Sequence, residues 1–131
     1  MKKVSIIIPL YNLEKLIGKC IASALGQDLS PEEYEILVID DGSTDGSLAA
    51  AEKTAQGHPN VYTKPNEGLS RTRNYGTDRA TGRYVMYLDA DDYLEPNVLG
   101  RLVETMECGG LDMLCFEIAG IDENGNDVPL W

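Results

Sequence analysis

Asp89, Asp91 and Asp92 place three carboxylates within four residues, directly after the apolar run Tyr84-Val85-Met86-Tyr87-Leu88. Carboxylates this close repel one another, so a proton or a cation must neutralise part of their charge. Their hard oxygen donors suit magnesium or manganese, which makes the cluster a candidate metal site. Two further polar clusters follow apolar runs in the same manner. Asp40-Asp41-Gly42-Ser43 closes Glu35-Ile36-Leu37-Val38-Ile39, and Tyr11-Asn12 follows Val4 to Leu10.

The elements that must hold these loops show in the periodicity. Val4 to Leu10, with Pro9 marking its end, and Glu35 to Asp40 are continuous apolar runs of the kind buried on both faces of a sheet. Val61 to Lys64 and Tyr84 to Leu88 add two more strands. Between them, Leu13, Leu16, Ile17, Cys20, Ile21, Ala24 and Leu25 recur at helical spacing behind Asn12 as N-cap. Asp41 to Gly46 supplies turn formers and a cap for a helix from Ser47 to Ala55 that stops near Gly57. Gly68-Leu69-Ser70 opens another helix, through about Ala80, and Pro96 suits the first turn of a helix carrying Leu99, Leu102, Val103 and Met106 inward. Asp112 to Ile118 reads as a further strand, and Asn124-Gly125 as a hairpin turn ahead of the apolar end Val128 to Trp131. Strands alternating with helices predict an α/β fold, a doubly wound, mostly parallel sheet flanked by helices. Ligands of such sheets sit beyond the carboxyl ends of the strands, at a topological switch point. The three polar loops converge there.

The composition narrows the partners. Twenty-two acidic residues against 11 Lys plus Arg give a formal charge of -11, with no basic block, which disfavours nucleic acid and anionic membranes. The run after Met1-Lys2-Lys3 is too short for a signal peptide and meets Pro9. No run approaches the ~18 apolar residues of a spanning helix. Cys20, Cys108 and Cys115 are odd in number and lie among apolar residues, which predicts reduced core thiols in a cytosolic protein. His58 has no Cys or His partner at ligand spacing and receives no role. At 131 residues and 43% hydrophobic, the chain fits one domain over residues 1–131.

The ordered set Val4-Ser5-Ile6-Ile7-Ile8-Pro9-Leu10-Tyr11-Asn12, Ile39-Asp40-Asp41-Gly42-Ser43-Thr44-Asp45, Asn66-Glu67-Gly68, Arg73-Asn74, Gly82-Arg83-Tyr84 and Leu88-Asp89-Ala90-Asp91-Asp92 resembles the family 2 glycosyltransferases over nearly the whole chain. The resemblance implies a GT-A fold of the nucleotide-diphospho-sugar transferase kind. It implies transfer, with inversion, from a nucleotide-diphosphate sugar such as a UDP-sugar to a saccharide or lipid-linked acceptor. It further implies Mn2+ or Mg2+, a cytoplasmic location with peripheral association at the inner face of the plasma membrane, and bacterial cell-surface polysaccharide biosynthesis. Carried over by position, Asp40 matches the uracil-recognising carboxylate, and Pro9 and Tyr11 match residues lining the base. Asp91 matches the metal ligand, and Asp89 the carboxylate facing the ribose or the metal. Arg73 belongs to the Arg-Asn pair, with Arg71 just before it, and either could meet a phosphate. Asn66 and Gly68 match a loop shaping the donor pocket. A cation is also what lets so acidic a protein hold a diphosphate.

Plainer roles compete. Asp40 and Asp41 could begin a turn, Tyr11 could be ordinary packing, and Arg71 and Arg73 could pair with surface acids. Asp92 reads as structural. Two other classes compete as well: a non-catalytic nucleotide-sugar-binding module, and a phosphatase of the haloacid-dehalogenase type whose nucleophile strand Leu88-Asp89-Ala90-Asp91 resembles. That phosphatase motif expects Thr or Val at Tyr93 and an early strand. Inverting transfer also needs a general base, which the family carries in the second half of the catalytic domain. Glu95, Glu104, Glu107, Asp112, Glu117, Asp122, Glu123 and Asp127 match no base motif, so no catalytic residue is named. The expectation is a donor-binding portion cut before the acceptor-binding part, with Trp131 at the cut.

Overall fold

The Val4–Leu10 run forms β1, and Tyr34–Asp40 forms β2, with every residue of both strands buried. This is the burial that continuous aliphatic runs demand, because alternate side chains enter opposite faces of the sheet and both faces are covered. A computed structural model describes residues 1–55 and 60–129. Gly57 as a helix stop, His58, and the apolar end Leu130-Trp131 fall outside the described residues.

Between and after these strands come α1 (Ile17–Leu25), α2 (Ser47–Ala55), β3 (Asn60–Thr63), α3 (Leu69–Thr77), β4 (Tyr84–Tyr87) and α4 (Leu99–Gly109), then the short strands β5 (Gly120–Ile121) and β6 (Asp127–Val128). The main sheet is parallel throughout, in the order β3-β2-β1-β4. The chain therefore steps outward from β1 to β3 and then crosses back to the other side of β1. The switch point lies between β1 and β4.

The two faces are covered as a doubly wound sheet requires. Ile6, Ile8, Leu10, Ile36 and Val38 pack with Ile17 and Ile21 of α1, Ala51 of α2, and Leu99 and Val103 of α4. Ile7, Leu37 and Ile39 point the other way, toward Tyr75 of α3. α3 lies so close to the sheet that a Cβ on Gly76 would stand 2.5 Å from Cγ2 of Ile7. At the end of the sheet away from the acidic loops, buried Glu35 accepts hydrogen bonds from the Ser5 hydroxyl and the Thr81 amide and hydroxyl. Burial alone would push its carboxyl up, but these donors hold it below the ordinary range.

Pro9 sets where β1 and β4 part. The carbonyl of Ile7 accepts from the Leu88 N–H at 3.0 Å, while that of Leu10 accepts from the Asp41 N–H at 2.8 Å. Alternate residues of β1 thus serve opposite neighbours. Pro9 is in phase with Ile7, faces the β4 side, and has no N–H to give. The chain turns away from the ladder at Asp89. The strand itself continues past Pro9 to Leu10 rather than ending there.

Several local expectations are corrected. Asn12 does not cap α1, which begins at Ile17 after a turn. It adopts φ 52° and its Oδ1 accepts from the Thr44 N–H at 2.8 Å instead, joining the β1 and β2 loops. α4 starts at Leu99, leaving Pro96 in the turn before it. Asp112 to Ile118 forms no strand: Met113, Phe116 and Ile118 are exposed, and no neighbouring strand pairs with the segment among the described residues. The Asn124-Gly125 hairpin does form, between β5 and β6, with Gly125 at φ 82°. Cys20 is buried, whereas Cys108 and Cys115 are exposed, Cys108 because it falls outside the inward stripe of Leu99, Val103 and Met106.

Candidate functional site

The base of the site is the end of β2. Asp40 is its last residue, 2% exposed and paired in register with Leu10. One carboxylate oxygen accepts from the Ser43 N–H at 3.3 Å, and the other from the Thr63 hydroxyl at 2.9 Å. Each oxygen keeps acceptor capacity beyond that one bond. Pro9 is buried on the adjoining strand, and Tyr11, 48% exposed, stands just past its end.

The opposite wall is the turn after β4. Its carbonyl-to-amide bond, Asp89 O to Asp92 N–H at 2.9 Å, turns the chain at once. Ala90 is buried in the core, so it anchors the turn while Asp89 and Asp91 flank it toward solvent. α1 lies beneath, where the Cys20 thiol reaches the Asp89 carbonyl at 3.5 Å. Burial, then the charges of Asp92, Asp91 and Asp89, push that thiol up to about 12. Desolvation and the charges of Asp91 and Asp89 hold the Asp92 carboxyl above its ordinary value.

Arg73 enters this wall from α3. Its guanidinium donates to Asp89 Oδ1 at 2.6 Å and stands 5.6 Å from the centre of the Tyr87 ring. Its Nε is buried and has no partner among the described residues. Asp91 is exposed and makes no side-chain hydrogen bond or ion pair among the described residues. No group of three or more His, Cys, Asp or Glu side chains converges into a preformed metal cage among them. Magnesium-type cations are commonly held by one or two carboxylates together with substrate phosphates. Asp89 and Asp91 fit that kind of donor set.

The structure separates the two arginines that the sequence left level. Arg71 is exposed and pairs with Glu67 at 3.1 Å, the plain surface role. Arg73 also pairs with an acid, but that acid is Asp89. Asn66 and Gly68 lie in the exposed β3–α3 loop, Gly68 at φ 90° as the residue before α3. A Cβ on Gly42, itself at φ 69°, would stand 2.9 Å from the Asn66 nitrogen, so this loop rests on the end of β2.

One pair escaped the sequence altogether. Asp41 and Lys64 are both buried and ion-paired, with side chains 6% and 5% exposed. Asp41 also accepts the N–H groups of Glu67 and Gly68, each at 2.9 Å. Burial pushes Asp41 up, yet the bonds from Lys64, Glu67 and Gly68 outweigh it and leave the carboxyl below its ordinary value. A lysine next to Pro65, at the end of a strand, was the available signal.

A parallel α/β sheet with acidic and polar loops at its switch point defines the open, doubly wound class, whose ligands sit in the crevice beyond the carboxyl ends of the strands. The family model of Glycosyl transferase family 2 matches residues 5–130, and the chain belongs to that family. It is 35% identical over 131 residues to a poly(ribitol-phosphate) beta-glucosyltransferase of Bacillus spizizenii, covering 97% of this chain and 20% of that protein. It superposes on S. aureus TarS 1–349 with a TM-score of 0.79 at 32% identity, covering 97% of this chain and 38% of that one. TarS 1–349 has also been solved with UDP-GlcNAc. A mannosyltransferase from Pyrobaculum calidifontis, in complex with GDP-Man and Mn2+, matches at a TM-score of 0.68 and 27% identity over 80% of this chain and 31% of that one. The fold is of the GT-A type. The chain spans a fifth of the Bacillus relative's length and less than two fifths of either solved chain. Against the phosphatase reading, Asp89 follows the fourth strand of the sheet rather than an early one.

Proposed function

We propose that these residues form the donor-binding part of a glycosyltransferase that takes a sugar from a nucleoside diphosphate, foremost a UDP-sugar, and delivers it with inversion to a saccharide or lipid-linked acceptor. The observation that carries this reading is the Arg73–Asp89 pair beside Asp91 at the β1/β4 switch point, one strand away from buried Asp40. Relatives bound to UDP-GlcNAc, and to GDP-Man with Mn2+, support the same class of donor.

In this reading Asp40 accepts an N–H of the base, with Pro9 beneath and the exposed Tyr11 ring placed to stack. Asn66 and Gly68 shape the adjoining wall. Arg73 supplies a guanidinium to a phosphate or holds Asp89 in place, while Arg71 stays at the rim. Asp91 and Asp89 would hold a divalent cation, which supplies positive charge against the departing diphosphate. The acceptor hydroxyl needs a base, and no residue of this chain is assigned to it. No helix among the described residues is long and apolar enough to cross a membrane. The bacterial poly(ribitol-phosphate) relatives support a role in polysaccharide assembly, which we place at the cytoplasmic face of the membrane as part of this proposal.

Isothermal titration of the chain with UDP, UDP-sugars and GDP-mannose, with and without Mn2+, tests the reading. UDP-sugar binding in Mn2+ should weaken by at least about tenfold in chelator and in Asp91→Ala, a change of ~1.4 kcal/mol. Binding indifferent to both would overturn the metal assignment, and absence of any nucleotide binding would overturn the donor site.

A further inference from the structure

We propose that Tyr87, acting with Thr77, is a positioning residue that holds the Arg73 guanidinium across the Asp89 carboxylate; its bearing on donor binding rests on the donor-site reading above. Tyr87 is the last residue of β4 and lies in register with Ile7. Gly76 lets α3 approach Ile7 closely, which brings the flank of the helix, with Arg73 and Thr77 one turn apart, beside Tyr87.

Burial does not account for the ring. Tyr87 is 47% exposed and packs into neither core cluster, and Val85, two residues earlier on the same face, is exposed as well. What the ring meets is Arg73. Its hydroxyl stands 2.8 Å from the Thr77 hydroxyl, which donates to the Arg73 carbonyl at 2.9 Å. A threonine hydroxyl has one proton and a carbonyl can only accept, so Tyr87 is the donor to Thr77. One tyrosine thus holds Arg73 twice, by its guanidinium through the ring and by its backbone through Thr77.

Arg73 has need of that support. Among the described residues its guanidinium makes one hydrogen bond, to Asp89 Oδ1, and its buried Nε has no partner. A two-pronged pair would lock the plane of the group, whereas a single bond leaves it free to swing. A long side chain ordered in advance spares a ligand the cost of ordering it.

The test uses two readouts, the Kd for UDP in Mn2+ and the Nε–H resonance of Arg73 in 15N-labelled protein without nucleotide. Tyr87→Leu should weaken UDP about tenfold and Thr77→Val about threefold, while Thr77→Ser, which keeps the hydroxyl, should bind as wild type does. In an Arg73→Gln background Tyr87→Leu should add less than about twofold, because its effect runs through the guanidinium; a general loss of structure would add its full effect there. The wild-type Nε–H should exchange slowly with solvent, and Tyr87→Leu should move it to the shift and rate of exposed arginines. A folded Tyr87→Leu that binds UDP within about twofold of wild type, leaves the resonance in place, or keeps its full effect without Arg73 overturns the proposal. Should Tyr87→Leu fail to fold, Thr77→Val and Thr77→Ser carry the same readouts, and identical binding with an unmoved resonance in both overturns it. If wild type binds no nucleotide, the donor reading falls, and the resonance alone decides whether Tyr87 holds Arg73.

Discussion

Asp41 gives the site a pH dependence whose sign follows from its partners. Its carboxyl lies below the ordinary range because Lys64 and the two loop amides outweigh burial. The unfolded chain, with a value near ~3.9, therefore takes up the proton first on acidification. The stabilisation from this group is full above that value and is lost as pH falls through the folded one. Urea midpoints should show wild type more stable than Asp41→Asn near pH 6, on the order of 2 to 3 kcal/mol with Glu67 still pairing Lys64. The gap should shrink near pH 3, and a gap that stays constant across that range would sink the assignment. The placement of Asp40, Asp89 and Asp91 at or just past strand ends was legible in the sequence, because an acid directly after an apolar run needs no knowledge of packing. The Asp41–Lys64 pair was not, since its members lie 23 residues apart and each alone resembles a turn or surface residue. Arg71 and Arg73 could not be ranked for a related reason. Two residues on a helix differ by about 200° in direction, and only the position of α3 decides which one meets Asp89.

Part of what holds the helix starts comes from elsewhere in the chain, which periodicity cannot reveal, and α4 shows it most fully. Gln27 Oε1 accepts the N–H groups of Val98 and Leu99, each at 3.0 Å, and Asp28 accepts that of Gly100 at 2.8 Å. Glu14 likewise accepts the Gly46 N–H at 2.8 Å, ahead of α2. Local capping rules placed the cap of α2 within Asp41 to Gly46, where Asp45 accepts the Ser47 N–H at 2.9 Å, but misplaced Asn12 for α1 and could not find Gln27 for α4. Gln27→Ala should cost about 1 to 2 kcal/mol by urea denaturation, since two amides at the start of α4 lose their acceptor. A loss no larger than that of an exposed control such as Glu104→Ala would show that water replaces Gln27 without penalty. The segment from Asp112 to Ile118 shows the converse limit. Its composition suits a strand, but strand structure requires a neighbouring edge, and composition does not say whether one is within reach.

Across the whole molecule, the formal charge of -11 opposes the approach of a diphosphate. With the cation saturating, the association rate for UDP should rise as salt increases from about 20 to 200 mM, the reverse of ordinary steering, because screening relieves a repulsion. Stopped-flow rates that fall over this range would place a local basic field at the crevice mouth stronger than the net charge. The α/β class was legible from alternating runs, but the order β3-β2-β1-β4 was not, because four apolar strands can be sorted in more than one way and only side-chain packing selects among them. Pro9 bears on that selection. A slide of β4 by two residues along β1 would keep every side chain on its proper face, so the hydrophobic pattern alone does not forbid it. Such a slide would set the Met86 carbonyl against the Pro9 nitrogen, which has no hydrogen to donate, and leave that carbonyl without a partner. The proline that lets the crevice open therefore also guards the fidelity of folding, making the misaligned sheet poorer by one hydrogen bond than the native one.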